Sequence, residues 1–160
     1  MKKILFVCLG NICRSPLAEG LMREKIVKLG LEKQFKLDSC GTADYHIGEL
    51  PDERTRENAL KNGLNLKQRA RQFEVADFNR FDHILVMDNA NKMRVIGLAT
   101  SEIHLQKVQL MRDFESASEL KGKDVPDPYY GGVEGFQNVY NILDRCTENL
   151  LNHHLEAIEN

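Results

Sequence analysis

The chain has 160 residues, with 22 Lys+Arg against 24 Asp+Glu, a formal net charge of −2 and 42% hydrophobic residues. This length suits one domain, residues 1–160, with a core of its own. The balanced charge argues against a nucleic-acid partner and against a disordered chain.

No apolar run reaches the roughly 18 residues of a membrane span, so no membrane association is expected. Residues 1–10, M-K-K-I-L-F-V-C-L-G, mimic a signal peptide, but the apolar run is short. Asn11, Arg14 and Pro16 follow without a small-residue cleavage site. A buried first strand over Lys3 to Leu9 explains the run better. Ser15-Pro16 then opens a helix, with serine as cap and proline in the first turn. Leu17, Leu21, Ile26 and Leu29 form its apolar face, and Gly30 stops it. Phe35 to Cys40 reads as a second strand and Thr42 to Pro51 as loop. Asp52 caps a helix to Asn62, and a short helix is expected near Val75 to Phe78. Asp82 to Met87 is a third strand, Ala90 to Leu98 a helix and Val108 to Met111 a fourth strand. A long loop, Asp113 to Gly132, precedes a final helix from Phe136 to Ile158. Strands alternate with helices, which predicts a parallel α/β sheet covered on both faces. Sites in such sheets lie at the carboxyl ends of the strands.

The end of the first strand carries chemistry. Residues 8–16 read C-L-G-N-I-C-R-S-P and lead straight into a helix. A helix amino terminus offers free N–H groups and partial positive charge, which make an anion cradle. Gly10 and Asn11 allow the backbone angles that turn consecutive N–H groups inward. Arg14 adds a planar fork for two phosphate oxygens. Cys8, at the mouth of this positive bowl, is placed to be a thiolate nucleophile. Ser15 can donate its hydroxyl to that sulfur. Displacement of phosphate from an alcohol or phenol also needs a proton donor. Asp127, in V-P-D-P-Y-Y-G-G at 125–132, is held between Pro126 and Pro128.

Cys8 to Pro16 and Asp127 to Tyr130 resemble the two signatures of the low-molecular-weight protein tyrosine phosphatases, and the order of elements agrees over nearly the whole chain. The resemblance implies a four-stranded parallel twisted sheet in order 2-1-3-4, helices on both faces and a phosphate-binding loop after strand 1. It implies hydrolysis of phosphotyrosine in proteins or peptides through a phosphocysteine on Cys8, with Asp127 as acid and then base. No metal or organic cofactor is implied. Residues Leu9, Gly10, Asn11, Ile12, Cys13, Arg14 and Ser15 would form the phosphate loop. Asn11, Ser15, Ser39 and Asp88 would form its supporting network. Leu9, Ile12, Tyr45, Tyr129 and Tyr130 would wall the substrate pocket, and His46 joins them as a rim residue beside Tyr45. The chain departs from many relatives at Gln68, where they carry a histidine in the network.

Cys13 reads equally as a packing residue or as the partner of Cys8 in a reversible disulfide. Cys40 and Cys146 read as inert core thiols, and His153 and His154 as solvent-facing. Four cysteines lack the density of a secreted scaffold, which predicts free thiols in a reducing cytoplasm. A monomer or weak homodimer is expected. Arsenate reduction on the same scaffold needs further mid-chain cysteines, and none occurs between Cys40 and Cys146. Phosphoarginine hydrolysis goes with a threonine where this chain has Ile12. A phosphotyrosine-binding module without turnover is the alternative from another class, and the intact motif argues against it.

Overall fold

The computed structural model describes residues 1–159, except for the side chain of Tyr130. Strand β1 (Lys2–Cys8) is the spine. Its side chains alternate, as a strand requires: Ile4, Phe6 and Cys8 enter one apolar cluster, Leu5 and Val7 the other. Both sets are buried, which is why the sequence run is continuous rather than alternating. β1 pairs in parallel with β2 (Phe35–Gly41) on one side and β3 (His83–Val86) on the other. β4 (Val108–Leu110) pairs with β3, so the sheet is parallel throughout in the expected order 2-1-3-4.

Helices α1 (Arg14–Lys28) and α6 (Val133–Glu159) cover one face and pack on each other. Leu17, Leu21, Met22 and Ile26 meet Val139, Leu143, Cys146 and Leu150 there. α2 (Glu53–Lys61) lies against α6. The opposite face is covered by Phe73, by Phe78 of α3 (Asp77–Arg80) and by Val95 of α4 (Asn89–Ile96). Cys8 and Gly41 stand level at the carboxyl ends of their strands, so the loops that follow share one end of the sheet.

Several elements differ from the sequence reading. α1 starts at Arg14 with Cys13 as its cap, and no side chain caps it. Ser15 does not cap because its hydroxyl is engaged with Cys8 and Asn11, which leaves first-turn N–H groups open. Leu29 is 56% exposed rather than part of the apolar face, because the helix ends at Lys28 and the chain turns at Gly30 (φ 69°). The short helix sits two residues later than expected, at Asp77–Arg80. An unexpected helix α5 (Glu102–Gln106) is capped by Ser101, whose hydroxyl accepts from the His104 N–H. The expected loop from 113 to 132 contains 3-10 turns at Ser118–Leu120 and Pro128–Tyr130.

His154 is the clearest correction. It is buried, not solvated, because α6 continues past it and places it below Thr147, Leu150 and Leu151 on the buried stripe. Its ring lies 4.6 Å from His83 and 6.2 Å from Phe35, and its Nε2 has no hydrogen-bond partner. Burial, with His83 adding to it, lowers its pKa from 6.5 to about 4. His153 is exposed, as expected.

In the unfolded chain this imidazole titrates near 6.5, so folding holds it neutral. Its contribution to stability is complete above about pH 6.5 and is lost as pH falls toward about 4. His154→Leu is therefore expected to remove about 1–2 kcal/mol of the stability loss between pH 7 and pH 5. Urea unfolding of both proteins at the two pH values measures this.

Candidate active site

The loop after β1 folds around the Cys8 sulfur. Cys8 Sγ accepts the Asn11 N–H at 3.2 Å and lies 3.0 Å from Ser15 Oγ. Asn11 has φ 57° and is the one non-glycine residue with positive φ among the described residues. Its side chain holds it there. Nδ2 donates to Ser15 Oγ at 2.8 Å and to Ser39 Oγ at 3.0 Å, and Oδ1 accepts the Arg71 N–H at 3.1 Å. Ser15 Oγ also lies 3.3 Å from the Cys40 carbonyl. Its proton is therefore shared between that carbonyl and the Cys8 sulfur.

Arg14 is buried beside the cradle, its side chain only 3% exposed. Nη1 donates to Asp88 Oδ2 at 2.7 Å and to the Val125 carbonyl at 2.9 Å. Nη2 lies 3.6 Å from Asp127 Oδ2. Burial opposes the guanidinium charge, but Cys8, Asp88 and Asp127 outweigh it and raise the pKa further above its ordinary value. Asp88 is itself fixed: its Oδ1 accepts the Asn91 N–H and caps α4. Asp127 is looser. Its Oδ1 accepts the Tyr129 N–H at 3.0 Å, and its side chain is 33% exposed.

These groups meet in a pocket of about 260 Å³ lined by Cys8, Leu9, Gly10, Ile12, Cys13, Arg14, Tyr45, His46, Asp127 and Tyr129. Every expected wall residue is there except Tyr130, whose side chain lies outside the described residues. Tyr45 is 71% exposed and stands at the rim. His46 lies between the Tyr45 and Tyr129 rings, at 6.5 and 6.4 Å, with Nδ1 on Glu49 at 2.5 Å. Ser39 and Asp88 stand behind the pocket as supports. Gln68 is outside the network around Asn11: its Nε2 donates to the Pro16 carbonyl and its Oε1 accepts the Lys67 N–H. Arg71 supplies the donor to Asn11 from its backbone.

Cys13 packs with Ile12, Ala70 and Phe136. Burial pushes its thiol up to about 12, as it does for Cys146, and well above the ordinary range for Cys40. No group of three or more His, Cys, Asp or Glu side chains arranged for a metal occurs among the described residues.

Three contributors were not read from the sequence. Arg71 acts through its backbone, which no side-chain motif reveals. Arg54 reaches the acid loop from α2: Nη1 donates to the Tyr129 carbonyl at 3.0 Å. Gly41 ends β2 directly against the cradle, where a Cβ would lie 2.6 Å from the Leu9 carbonyl oxygen and 3.1 Å from the Asn11 nitrogen. Its place at a strand end after S-C was the available signal.

Comparison with known proteins agrees with this geometry. Residues 3–159 match the family model described as low molecular weight phosphotyrosine protein phosphatase. A protein of that name from Schizosaccharomyces pombe is 45% identical over 150 residues, covering 93% of this chain and 94% of its own. A protein tyrosine phosphatase structure from Entamoeba histolytica superposes with a TM-score of 0.92 at 40% identity, covering 98% of this chain and 99% of its own. An arginine phosphatase structure from Drosophila gives a TM-score of 0.87 at 31% identity, with 96% and 98% covered.

Gly41→Ala is expected to displace the loop at Leu9 to Asn11. Overpacking of this kind costs ~1–3 kcal/mol, and a displaced cradle lowers kcat/KM on an aryl phosphate by roughly tenfold or more. Thermal unfolding and steady-state rates on the same preparation check both effects.

Proposed function

The chain belongs to the low molecular weight phosphotyrosine protein phosphatase family, and from that premise we propose which of its residues perform the reaction. Members hydrolyse phosphotyrosine monoesters through a phosphocysteine, with an aspartate as acid and base. Cys8 is the nucleophile, Arg14 with the N–H groups of residues 9–15 binds the phosphate, and Asp127 moves the protons.

The observation that carries this reading is the position of Cys8 Sγ. Cys8 lines the pocket together with Arg14 and Asp127, and its sulfur is within reach of the Asn11 N–H and the Ser15 hydroxyl. A phosphate dianion seated there accepts the loop N–H groups and one edge of Arg14. The sulfur forms a bond to phosphorus from the face opposite the tyrosine oxygen. The P–O bond breaks, and Asp127 gives its proton to the departing phenolate. Water then attacks the phosphocysteine, Asp127 takes its proton, and the sulfur leaves with support from Ser15. Asp127 suits proton transfer better than Asp88, because Asp88 holds both a buried guanidinium and a helix N-terminus.

Leu9 and Ile12 on one side and Tyr129 on the other make a slot for the phenyl ring, with Tyr45 and His46 at its lip. A phosphoserine side chain is too short to carry its phosphorus from that lip to Cys8. The substrates are phosphotyrosine-containing proteins or peptides, and the chain works as a monomer or weak homodimer. All four cysteines are free, which supports a cytoplasmic setting. No described helix is long and apolar enough to cross a membrane.

Rates on phosphotyrosine, phosphoserine and phosphoarginine peptides test the assignment. Phosphotyrosine turnover is expected to vanish in Cys8→Ser and to fall by ~10²–10⁴ in Asp127→Ala. Faster turnover of phosphoarginine would overturn the substrate assignment and keep the residue roles. Retained turnover in Cys8→Ser would overturn the nucleophile.

A further inference from the structure

We infer that Arg54 is the positioning residue for the acid: it fastens the loop carrying Asp127 to the phosphate cradle, and protonation of the leaving phenol depends on it. The inference rests on the reading of Asp127 as proton donor.

A continuous set of contacts leads from the cradle to the acid. The Asp52 N–H donates to the Ile12 carbonyl at 2.7 Å, so the start of α2 is fixed on the cradle. The Asp52 carboxylate holds the Arg54 fork in two places, Oδ1 on Nε and Oδ2 on Nη2, each at 3.0 Å. The remaining arm, Nη1, donates to the Tyr129 carbonyl at 3.0 Å. The guanidinium also lies 5.2 Å from the Tyr129 ring centroid and 4.9 Å from that of Phe136. Tyr129 in turn donates its N–H to Asp127 Oδ1.

The acid hangs between two anchors. On its amino-terminal side, the Val125 N–H donates to the Met87 carbonyl and the Val125 carbonyl accepts from Arg14. On its carboxyl-terminal side, Arg54 holds Tyr129. Beyond that come Gly131 and Gly132, which have no side chains to pack. Without Arg54 the hold on the Tyr129 carbonyl is lost, and the Asp127 carboxyl is placed less firmly by its remaining contacts to Arg14 and the Tyr129 N–H.

The geometry assigns this task to an arginine in particular. Five donors in one rigid plane serve a bidentate carboxylate, a carbonyl and two ring faces together. A lysine keeps the charge but offers neither plane nor fork. Arg54 does little for stability, since its side chain is 44% exposed and surface ion pairs contribute little. A misplacement of about 1 Å in a reacting group, by contrast, can cost on the order of 10² in rate. Asp52 is held charged by this pairing: the Arg54 side chain keeps its carboxyl below the ordinary range.

The test separates proton donation from phosphate binding by leaving group. Phenyl phosphate releases a basic phenolate that needs a proton. 2,4-Dinitrophenyl phosphate releases a stable anion that does not. The ratio kcat/KM reports the chemistry through the first phosphoryl transfer. Arg54→Ala and Arg54→Lys are compared with the unmodified protein, Asp127→Ala and the double variant Arg54→Ala/Asp127→Ala.

Arg54→Ala is expected to lower kcat/KM on phenyl phosphate by about 10–100-fold, part of the ~10²–10⁴ that a general acid supplies. On the dinitrophenyl ester the loss stays within about threefold, which also controls for folding. Arg54→Lys recovers only part of the loss. In the double variant, phenyl phosphate turnover equals that of Asp127→Ala within about threefold, because the acid that Arg54 positions is already gone. Equal losses on both esters in Arg54→Ala, or no loss on either, would overturn the inference, as would losses that multiply in the double variant. If Asp127→Ala itself fails to discriminate between the esters, the acid assignment has failed. If it discriminates and Arg54→Ala does not, the inference alone has failed.

Discussion

One residue in the left-handed region holds the cradle together. Asn11 carries φ 57°, a conformation costing roughly 1–2 kcal/mol for an L-residue. That angle turns its N–H toward the Cys8 sulfur. The cost is offset because three separate segments grip its side chain: Ser15 on α1, Ser39 on β2 and the Arg71 backbone. Net contributions of about 1 kcal/mol per buried hydrogen bond suffice to lock it. Gly41 completes the arrangement by letting β2 end flush against the loop. The loop is thus held in shape by the chain's own hydrogen bonds, so a phosphate bound there in the proposed reaction would not have to order it.

The second constraint is electrostatic. A buried guanidinium needs partners, and Arg14 has two carboxylates of different tightness. Asp88 lies at 2.7 Å and Asp127 at 3.6 Å. The tight pair keeps Arg14 in place and is anchored further by α4. In the proposed reaction the loose pair is the one an incoming phosphate replaces, which leaves the support at Asp88 intact. One cation thereby joins the loop after β1, helix α4 and the loop that carries Asp127. Arg54 repeats the device at the outer edge, where its fork joins α2 to the Tyr129 carbonyl.

The alternation of strands and helices was legible because it depends on local pattern, whereas the strand order 2-1-3-4 came from the family resemblance and is what the sheet has. A continuous apolar run followed by C-x5-R-S and a helix places the proposed nucleophile, its cradle and its cation within nine residues. Asp127 was legible through its flanking prolines. The illegible parts act across the chain or through the backbone. Arg71 contributes an N–H, Gly41 contributes the lack of a side chain, and Arg54 contributes contacts to a loop 75 residues away. Ser15-Pro16 looked like a cap and is not one, because Ser15 is needed by Cys8. His154 was read as solvent-facing within the expected final helix and is core, because it falls on the same helical stripe as Thr147, Leu150 and Leu151. Helix α5 carries exposed Ile103 and Leu105, so it has no apolar face to announce it.

The same scaffold carries a tyrosine phosphatase in Entamoeba histolytica and an arginine phosphatase in Drosophila. The fold therefore does not choose the leaving group; the pocket walls do. In this chain Ile12 lines the same pocket as Cys8, is 7% exposed and packs with Cys13, Ala70 and Phe136. A guanidinium leaving group is planar like a phenol, but its N–H groups need acceptors in the wall. An isoleucine offers none, and burying unpaired donors against it carries the full desolvation cost. A phenyl ring asks for nothing but apolar contact along that wall and a proton at its oxygen. The apolar wall at Ile12 and the acid proposed at Asp127 thus favour the aryl ester together, by different means.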